Sequence, residues 1–254
     1  MHQASKLVAV VTGAGRGIGA ETARALAQEG FHVVLVSRTE AELITVQSSI
    51  EHSGGSAELL ACDITLECEV IRLFETVPVV HLVVNNAGMN RPGELTALNT
   101  ADLDAMLALN IRAQILVARE AVRKMVELPQ ALREQGVVSL VQVTSQMGRV
   151  GAAERTIYCA TKHAMEGFTK ALAIELAPYG VRVNAVAPTF LDTPLTAPFF
   201  AKDPAFRASV LRRIPMGRLG TVAEVASVIA FLASPAARFV TGESIAVDGG
   251  WTAQ

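Results

Sequence analysis

Tyr158 and Lys162 stand four residues apart, the spacing that sets two side chains on one helix face with Cβ atoms about 5–6 Å apart. A tyrosine hydroxyl can give its proton to a carbonyl oxygen while hydride arrives at the carbon. Its ordinary pKa near ~10 makes it a poor base for the reverse step. A lysine ammonium beside it, joined by one further cation, favours the phenolate. A lowering of about three units corresponds to roughly 4 kcal/mol, within reach of two nearby cations in a partly desolvated site. Tyr158 is therefore the candidate acid and base, with Ser145 placed to hydrogen-bond the same substrate oxygen. Asn110 lies in the otherwise apolar run Met106-Leu107-Ala108-Leu109-Asn110-Ile111, where a buried amide must find partners.

A second element concerns phosphate. Thr12-Gly13-Ala14-Gly15-Arg16-Gly17-Ile18-Gly19 follows a β-branched run directly and opens into a helical pattern. Glycines there let the backbone turn tightly and approach a pyrophosphate, which then meets free N–H groups at a helix N-terminus. Dinucleotide binding is the expectation, and an oxidised nicotinamide would be the second cation beside Tyr158.

The spacing Gly13, Gly17, Gly19, preceded by Thr12, resembles the short-chain dehydrogenase/reductase family. The resemblance covers the whole chain. Asn85-Asn86-Ala87-Gly88, Asn110, Ser145, Tyr158-x-x-x-Lys162 and Asp248-Gly249-Gly250 follow in the family's order and spacing. It implies that Lys162 also holds the nicotinamide ribose and that Asn110 positions a proton-relaying water. It further implies that Ile18, Asn86, Ala87, Gly88 and Pro188 border the cofactor, that Asp63-Ile64 meets the adenine, and that Thr193 bonds the nicotinamide amide. Thr189 stands where the family commonly has glycine, which predicts a differently shaped start to the following loop. The nearest general likeness is to 3-oxoacyl-thioester reductases and to sugar or small-ketone reductases. Tyr179 occupies a position that is often basic in acyl-carrier reductases.

An acidic residue at the end of the second strand would bind the ribose 2′-hydroxyl of NAD(H). The chain has Ser37-Arg38 there and no carboxylate before Glu40. Arg38 can pair with a 2′-phosphate, Ser37 can donate to it, and Arg16 could add charge, so NADP(H) is expected over NAD(H).

The elements that must position these groups follow from hydrophobic periodicity. Residues 7–11, 32–37, 59–62, 81–84, 137–144, 182–186 and 244–247 read as strands, nearly all apolar, as for strands covered on both faces. Residues 18–29, 40–53, 102–127, 158–176 and 222–232 read as helices, the last opened by the capping box Thr221–Glu224. Gly30 and Gly180 fall where helix C-termini take a left-handed residue. The alternation predicts one α/β domain over residues 1–254, doubly wound and Rossmann-type, with a seven-stranded parallel sheet. Residues 63–81 leave room only for a trimmed third helix. Residues 127–135 read as a small insertion at the end of the sheet away from the site. The long irregular stretch at about 188–215 reads as a substrate loop. Its Phe190, Leu191, Leu195, Phe199, Phe200 and Phe206 suggest a largely apolar substrate, with Met147, Arg149, Val150, Arg155 and Arg91 near the mouth.

Hydrophobic residues make up 51% of the chain and charged ones 18%, with a net charge of −2 and no basic cluster. That argues against nucleic-acid or membrane partners, and no apolar run approaches a bilayer span. Residues 1–6 are too short and polar for a signal peptide. Cys62, Cys68 and Cys159 form no CxxC pair and no zinc spacing with the five histidines, so a metal-free protein in a reducing, cytoplasmic compartment is expected. Apolar residues spread around the helices at 102–127 and 158–176 suggest a homo-tetramer. The competing reading is a non-catalytic NADP(H)-binding redox sensor or scaffold, which leaves the Asn, Ser, Tyr and Lys set unexplained.

Overall fold

Seven short, largely apolar segments form one all-parallel sheet with helices on both of its faces. In the computed structural model, which describes residues 6–193 and 196–254, the strands are β1 (Val8–Thr12), β2 (His32–Ser37), β3 (Ser56–Ala61), β4 (Leu82–Asn85), β5 (Ser139–Val143), β6 (Arg182–Pro188) and β7 (Ser244–Val247). Their order is β3-β2-β1-β4-β5-β6-β7. The first half winds outward through β2 and β3. The chain then returns past β1 to β4 and winds the other way, so a crevice opens between β1 and β4 at the carboxyl ends of the strands.

The helices are α1 (Gly17–Gln28), α2 (Glu40–His52), α3 (Glu67–Thr76), α4 (Thr100–Leu107), α5 (Gln114–Met125), α6 (Gln130–Glu134), α7 (Thr156–Leu176), α8 (Ala197–Lys202), α9 (Pro204–Arg212) and α10 (Val222–Ala233). One core cluster packs Val11, Leu35 and Val141 against Leu26 of α1, Leu43 of α2 and Ile229 of α10. The other packs Val10, Val83 and Leu140 against Phe74 of α3, Val117 of α5 and Leu176 of α7. Each fully buried Leu or Val of this kind contributes about 1.5–3 kcal/mol of transfer free energy. The helix ends follow their local signals. Thr221 and Glu224 complete a capping box, and Gly30 and Gly180 sit at φ 91° and 71°.

The structure departs from expectation in four places. The helix expected over 102–127 is interrupted by a π-turn, Ala108–Ala113, which shifts the face of α5 relative to α4. The loop at 188–215 contains α8 and α9. The signal for α9 was present in Asp203-Pro204, where Asp203 accepts from Phe206 N–H at 2.8 Å and proline occupies the first turn. Thr189 is not at positive φ, since Glu154 is the one such non-glycine among the described residues. Its N–H instead bonds Val247 O at 3.2 Å and prolongs the sheet, so no left-handed residue is needed. Finally, the assembly face is narrower than the sequence suggests. Met106, Leu116 and Leu176 are core residues, whereas Leu107, Ile115 and Ile174 are exposed. Leu195 lies outside the described residues, as do the side chain of Phe199 and residues 1–5. No described helix is long and apolar enough to cross a membrane.

Candidate active site

A cavity of about 610 Å³ fills the crevice between the two halves of the sheet. At one end it is bordered by Gly13, Arg16, Gly17, Ile18, Ser37, Arg38, Asp63 and Ile64. Asn86, Ala87 and Gly88 border its middle, and Ser145, Tyr158, Lys162, Pro188 and Thr193 its far end. Of the catalytic and cofactor residues singled out from sequence, only Gly19 and Asn110 are absent from the wall.

The turn after β1 is built around contacts too close for side chains. A Cβ on Gly19 would stand 2.2 Å from Gly13 O and 2.5 Å from Asn86 Nδ2. Asn86 is a brace as well as a wall residue. Its amide donates to Thr12 O at 3.0 Å and Gly13 O at 3.1 Å, while the Thr12 hydroxyl accepts from Asn86 N–H and Ala87 N–H. Gly17, at φ 58°, faces open space. The first turn of α1 has no side-chain cap and no acidic residue, so its N–H groups are available to an anion. This cradle fits a pyrophosphate.

Beyond the turn, no described carboxylate lies within 4.0 Å of Arg38. The Ser37 hydroxyl accepts from Thr39 N–H at 3.3 Å. Arg16 is 3.7 Å from Glu42, an exposed pair that a bound phosphate could displace. Glu42 and Thr39 were missed from sequence. The first turn of α2 was the available signal, since it faces the same corner as Arg16. Asp63 Oδ1 accepts from Thr65 N–H and Oγ1, which fixes its carboxylate beside Ile64.

At the far end β5 delivers Ser145 and the first turn of α7 delivers Tyr158. The Lys162 ammonium is buried, donates to Val143 O at 2.8 Å and lies 5.7 Å from the centre of the Tyr158 ring. Burial dominates the tyrosine, pushing its pKa up to about 12 against the opposing pull of the Ser145 hydrogen bond and the Arg155 charge. Burial also pulls Lys162 down to about 8, offset in part by Glu166. The sequence argument that Lys162 depresses the phenol thus meets a larger opposing effect in the protein alone: desolvation penalises both charged forms. At neutral pH the phenol is protonated, which suits an acid.

Asn110, fully buried in the π-turn, has all the partners a buried amide needs. Its Oδ1 accepts from Met89 N–H at 2.8 Å, and its Nδ2 donates to Met89 O at 2.8 Å and Thr161 Oγ1 at 3.2 Å. The side chain is thus spent on fixing the segment after Gly88. A Cβ on Gly88 would stand 3.3 Å from Asn110 Oδ1 and 3.7 Å from Lys162 Nζ, so that glycine keeps the space between them open.

The phenylalanines of the substrate loop mostly pack on one another. Phe190 lies 5.9 Å from Phe206, 6.1 Å from Phe200 and 5.8 Å from Trp251, ring centre to ring centre. Among the loop's described aromatics only Phe190 reaches the cavity, with Leu191. Of the residues expected at the mouth, Met147 and Arg155 line it. Arg149 donates to Ser244 O, and Arg91 pairs with Asp102 at 3.5 Å. Met89, Asn90, Gln146 and Thr196 also line the wall and carried no sequence signal.

Comparison with known proteins agrees with this architecture. A family model described as Enoyl-(Acyl carrier protein) reductase matches residues 13–252. The chain is 38% identical over 251 residues to a cis-4-hydroxycyclohexanecarboxylate dehydrogenase from Sinomonas cyclohexanicum, covering 97% of this chain and 96% of the relative. It is 35% identical over 247 residues to the 3-oxoacyl-[acyl-carrier-protein] reductase FabG of Thermotoga maritima, covering 96% of each. Among solved structures, a gluconate 5-dehydrogenase from Burkholderia cenocepacia in complex with NADP and tartrate superposes with a TM-score of 0.89 at 30% identity, covering 98% of this chain and 96% of that one.

Proposed function

The chain belongs to the short-chain dehydrogenase/reductase family, and on that footing we propose that it interconverts a ketone and a secondary alcohol with NADP(H). The observation that carries the reading is the convergence of Ser145, Tyr158 and Lys162 on the end of a cavity whose other end is a glycine cradle flanked by Arg38. When bound, the nicotinamide supplies or takes the hydride. The protein's part in reduction is to hold the ketone oxygen between the Ser145 and Tyr158 hydroxyls. The Tyr158 proton passes to that oxygen as the carbon gains hydride, leaving a secondary alcohol and a phenolate. Lys162 would hold the ribose, and its charge stabilises that phenolate until a proton returns from solvent. Asn110 fixes Met89 and, with Gly88, borders the route by which that proton reaches Lys162.

The cofactor is NADP(H). Arg38 pairs with the 2′-phosphate, and the NADP in the Burkholderia cenocepacia dehydrogenase supports the assignment. Thr193 and Pro188 would flank the nicotinamide, and Asp63 and Ile64 the adenine, since all four line the cavity. A non-catalytic sensor would have no use for Ser145, Tyr158 and Lys162 together. The three free cysteines suit a reducing, cytoplasmic setting. Exposed Leu107 and Ile115 on the π-turn's flanks and exposed Ile174 on α7 support a homo-tetramer.

The test is NADPH oxidation against a panel of ketones that includes a 3-oxoacyl thioester. Turnover is expected with some of them. Tyr158→Phe should lower it by about 10²–10⁴-fold while NADPH still binds. A fully active Tyr158→Phe protein refutes the mechanism.

A further inference from the structure

The substrate end of the cavity carries a single cation whose presence the transfer of hydride does not explain. Arg155, three residues before Tyr158, lines the wall and is half-buried. Its one hydrogen bond is from Nη1 to the backbone Glu154 O at 3.0 Å, and no described carboxylate lies within 4.0 Å of its guanidinium. The neighbouring arginines are committed elsewhere, Arg149 to Ser244 O and Arg91 to Asp102. Partial burial lowers the pKa of Arg155, with Glu154, Cys159 and Tyr158 opposing.

The backbone is arranged to hold this side chain in place. Glu154 is the one described non-glycine residue at positive φ, 59°, and its carbonyl accepts from Gly93 N–H at 3.0 Å. That contact ties the start of α7 to the loop after Met89. Two further polar atoms wait in the same wall. Gln146 Oε1 and Thr189 Oγ1 are buried without a hydrogen-bond partner among the described residues. A half-buried guanidinium with no carboxylate partner among the described residues, and two unpartnered polar atoms in the same wall, do not describe an apolar pocket.

We propose that the substrate is a keto acid or hydroxy acid whose carboxylate pairs with Arg155 while its ketone or hydroxyl oxygen meets Tyr158. This deepens the NADP(H)-dependent reading above and rests on it. One guanidinium balances one carboxylate, and its planar fork matches that group bidentately. Two similar proteins are named for substrates that carry a carboxylate, cis-4-hydroxycyclohexanecarboxylate and gluconate.

The experiment compares NADPH oxidation by the wild type with a series of keto acids, each paired with its methyl ester, and with a 3-oxoacyl thioester. The proposal expects kcat/KM to favour the acid over its ester, a preference that falls by about 10- to 100-fold in Arg155→Leu and less in Arg155→Lys. An acid-to-ester ratio near unity in the wild type, an unchanged ratio in Arg155→Leu, or a clear preference for the thioester overturns it. A binding readout separates this proposal from the reductase reading. Tartrate titrated into the NADP⁺ complex should bind about 10-fold more weakly to Arg155→Leu, even if no ketone in the panel turns over. Equal tartrate binding by both proteins overturns the anchor, whereas absence of turnover with the tartrate difference intact counts against the reductase reading alone.

Discussion

Lys162 makes cofactor affinity a function of pH in a way that can be worked out beforehand. Burial brings its pKa in the free protein from 10.5 to about 8, a preference for the neutral amine on the order of 3 kcal/mol. If a bound ribose restores the ordinary value, binding takes up a proton wherever the free amine has lost one. The dissociation constant for NADPH is then flat below pH 7 and rises with pH above 8. It should be about 10-fold weaker at pH 9 and about 75-fold weaker at pH 10, levelling near 300-fold. The 2′-phosphate, with its second pKa near ~6, titrates below this window. Titrations of NADPH fluorescence from pH 6 to pH 10 read the effect directly. Lys162→Met should bind more weakly throughout and lose the rise. A wild-type constant that stays level between pH 7 and pH 9.5 refutes the reasoning, as does the same rise in Lys162→Met.

Gly19→Ala places a methyl 2.2 Å from a backbone carbonyl that cannot swing aside. It should cost about 3 kcal/mol or more of stability by thermal melting and abolish NADPH binding, and a variant that binds normally contradicts the assigned geometry. Arg38→Glu removes the 2′-phosphate partner and adds a ribose acceptor. The ratio of NADPH to NADH affinity should drop by about 10-fold or more, read by competition. Light scattering should give a tetramer, and a monomer at micromolar concentration would refute the assembly.

The parts of the fold legible in sequence were those fixed by strong periodicity. His32–Ser37 and Ser244–Val247 came out with the strand ends the structure has, because apolar runs bounded by turn residues leave little choice. The glycine turn was legible for a similar reason: strand, glycines and helix occur in uninterrupted order. Asn110 shows both reach and limit. Its burial could be argued from apolar neighbours, but the π-turn that carries it adds no residue-type signal and depends on how α4 and α5 pack. The phenol and ammonium were read from charge alone, whereas their positions on the pKa scale depend on burial, a property of the assembled core. Helix α9 was legible in principle from Asp203-Pro204 and was hidden by reading a proline-rich stretch as irregular. Arg155 was seen near the mouth, but only the structure separates it from Arg149 and Arg91, which other partners claim.

The two ends of the cavity rest on different foundations. The cradle is locked by Thr12 and Asn86 between β1 and β4, in the middle of the sheet. The substrate loop leans through Phe190 on Trp251, which follows β7 at the sheet's edge and whose approach is set by Asp248 accepting from Gly250 and Thr252. Changes to that edge therefore alter the acceptor-binding half and leave the dinucleotide half standing.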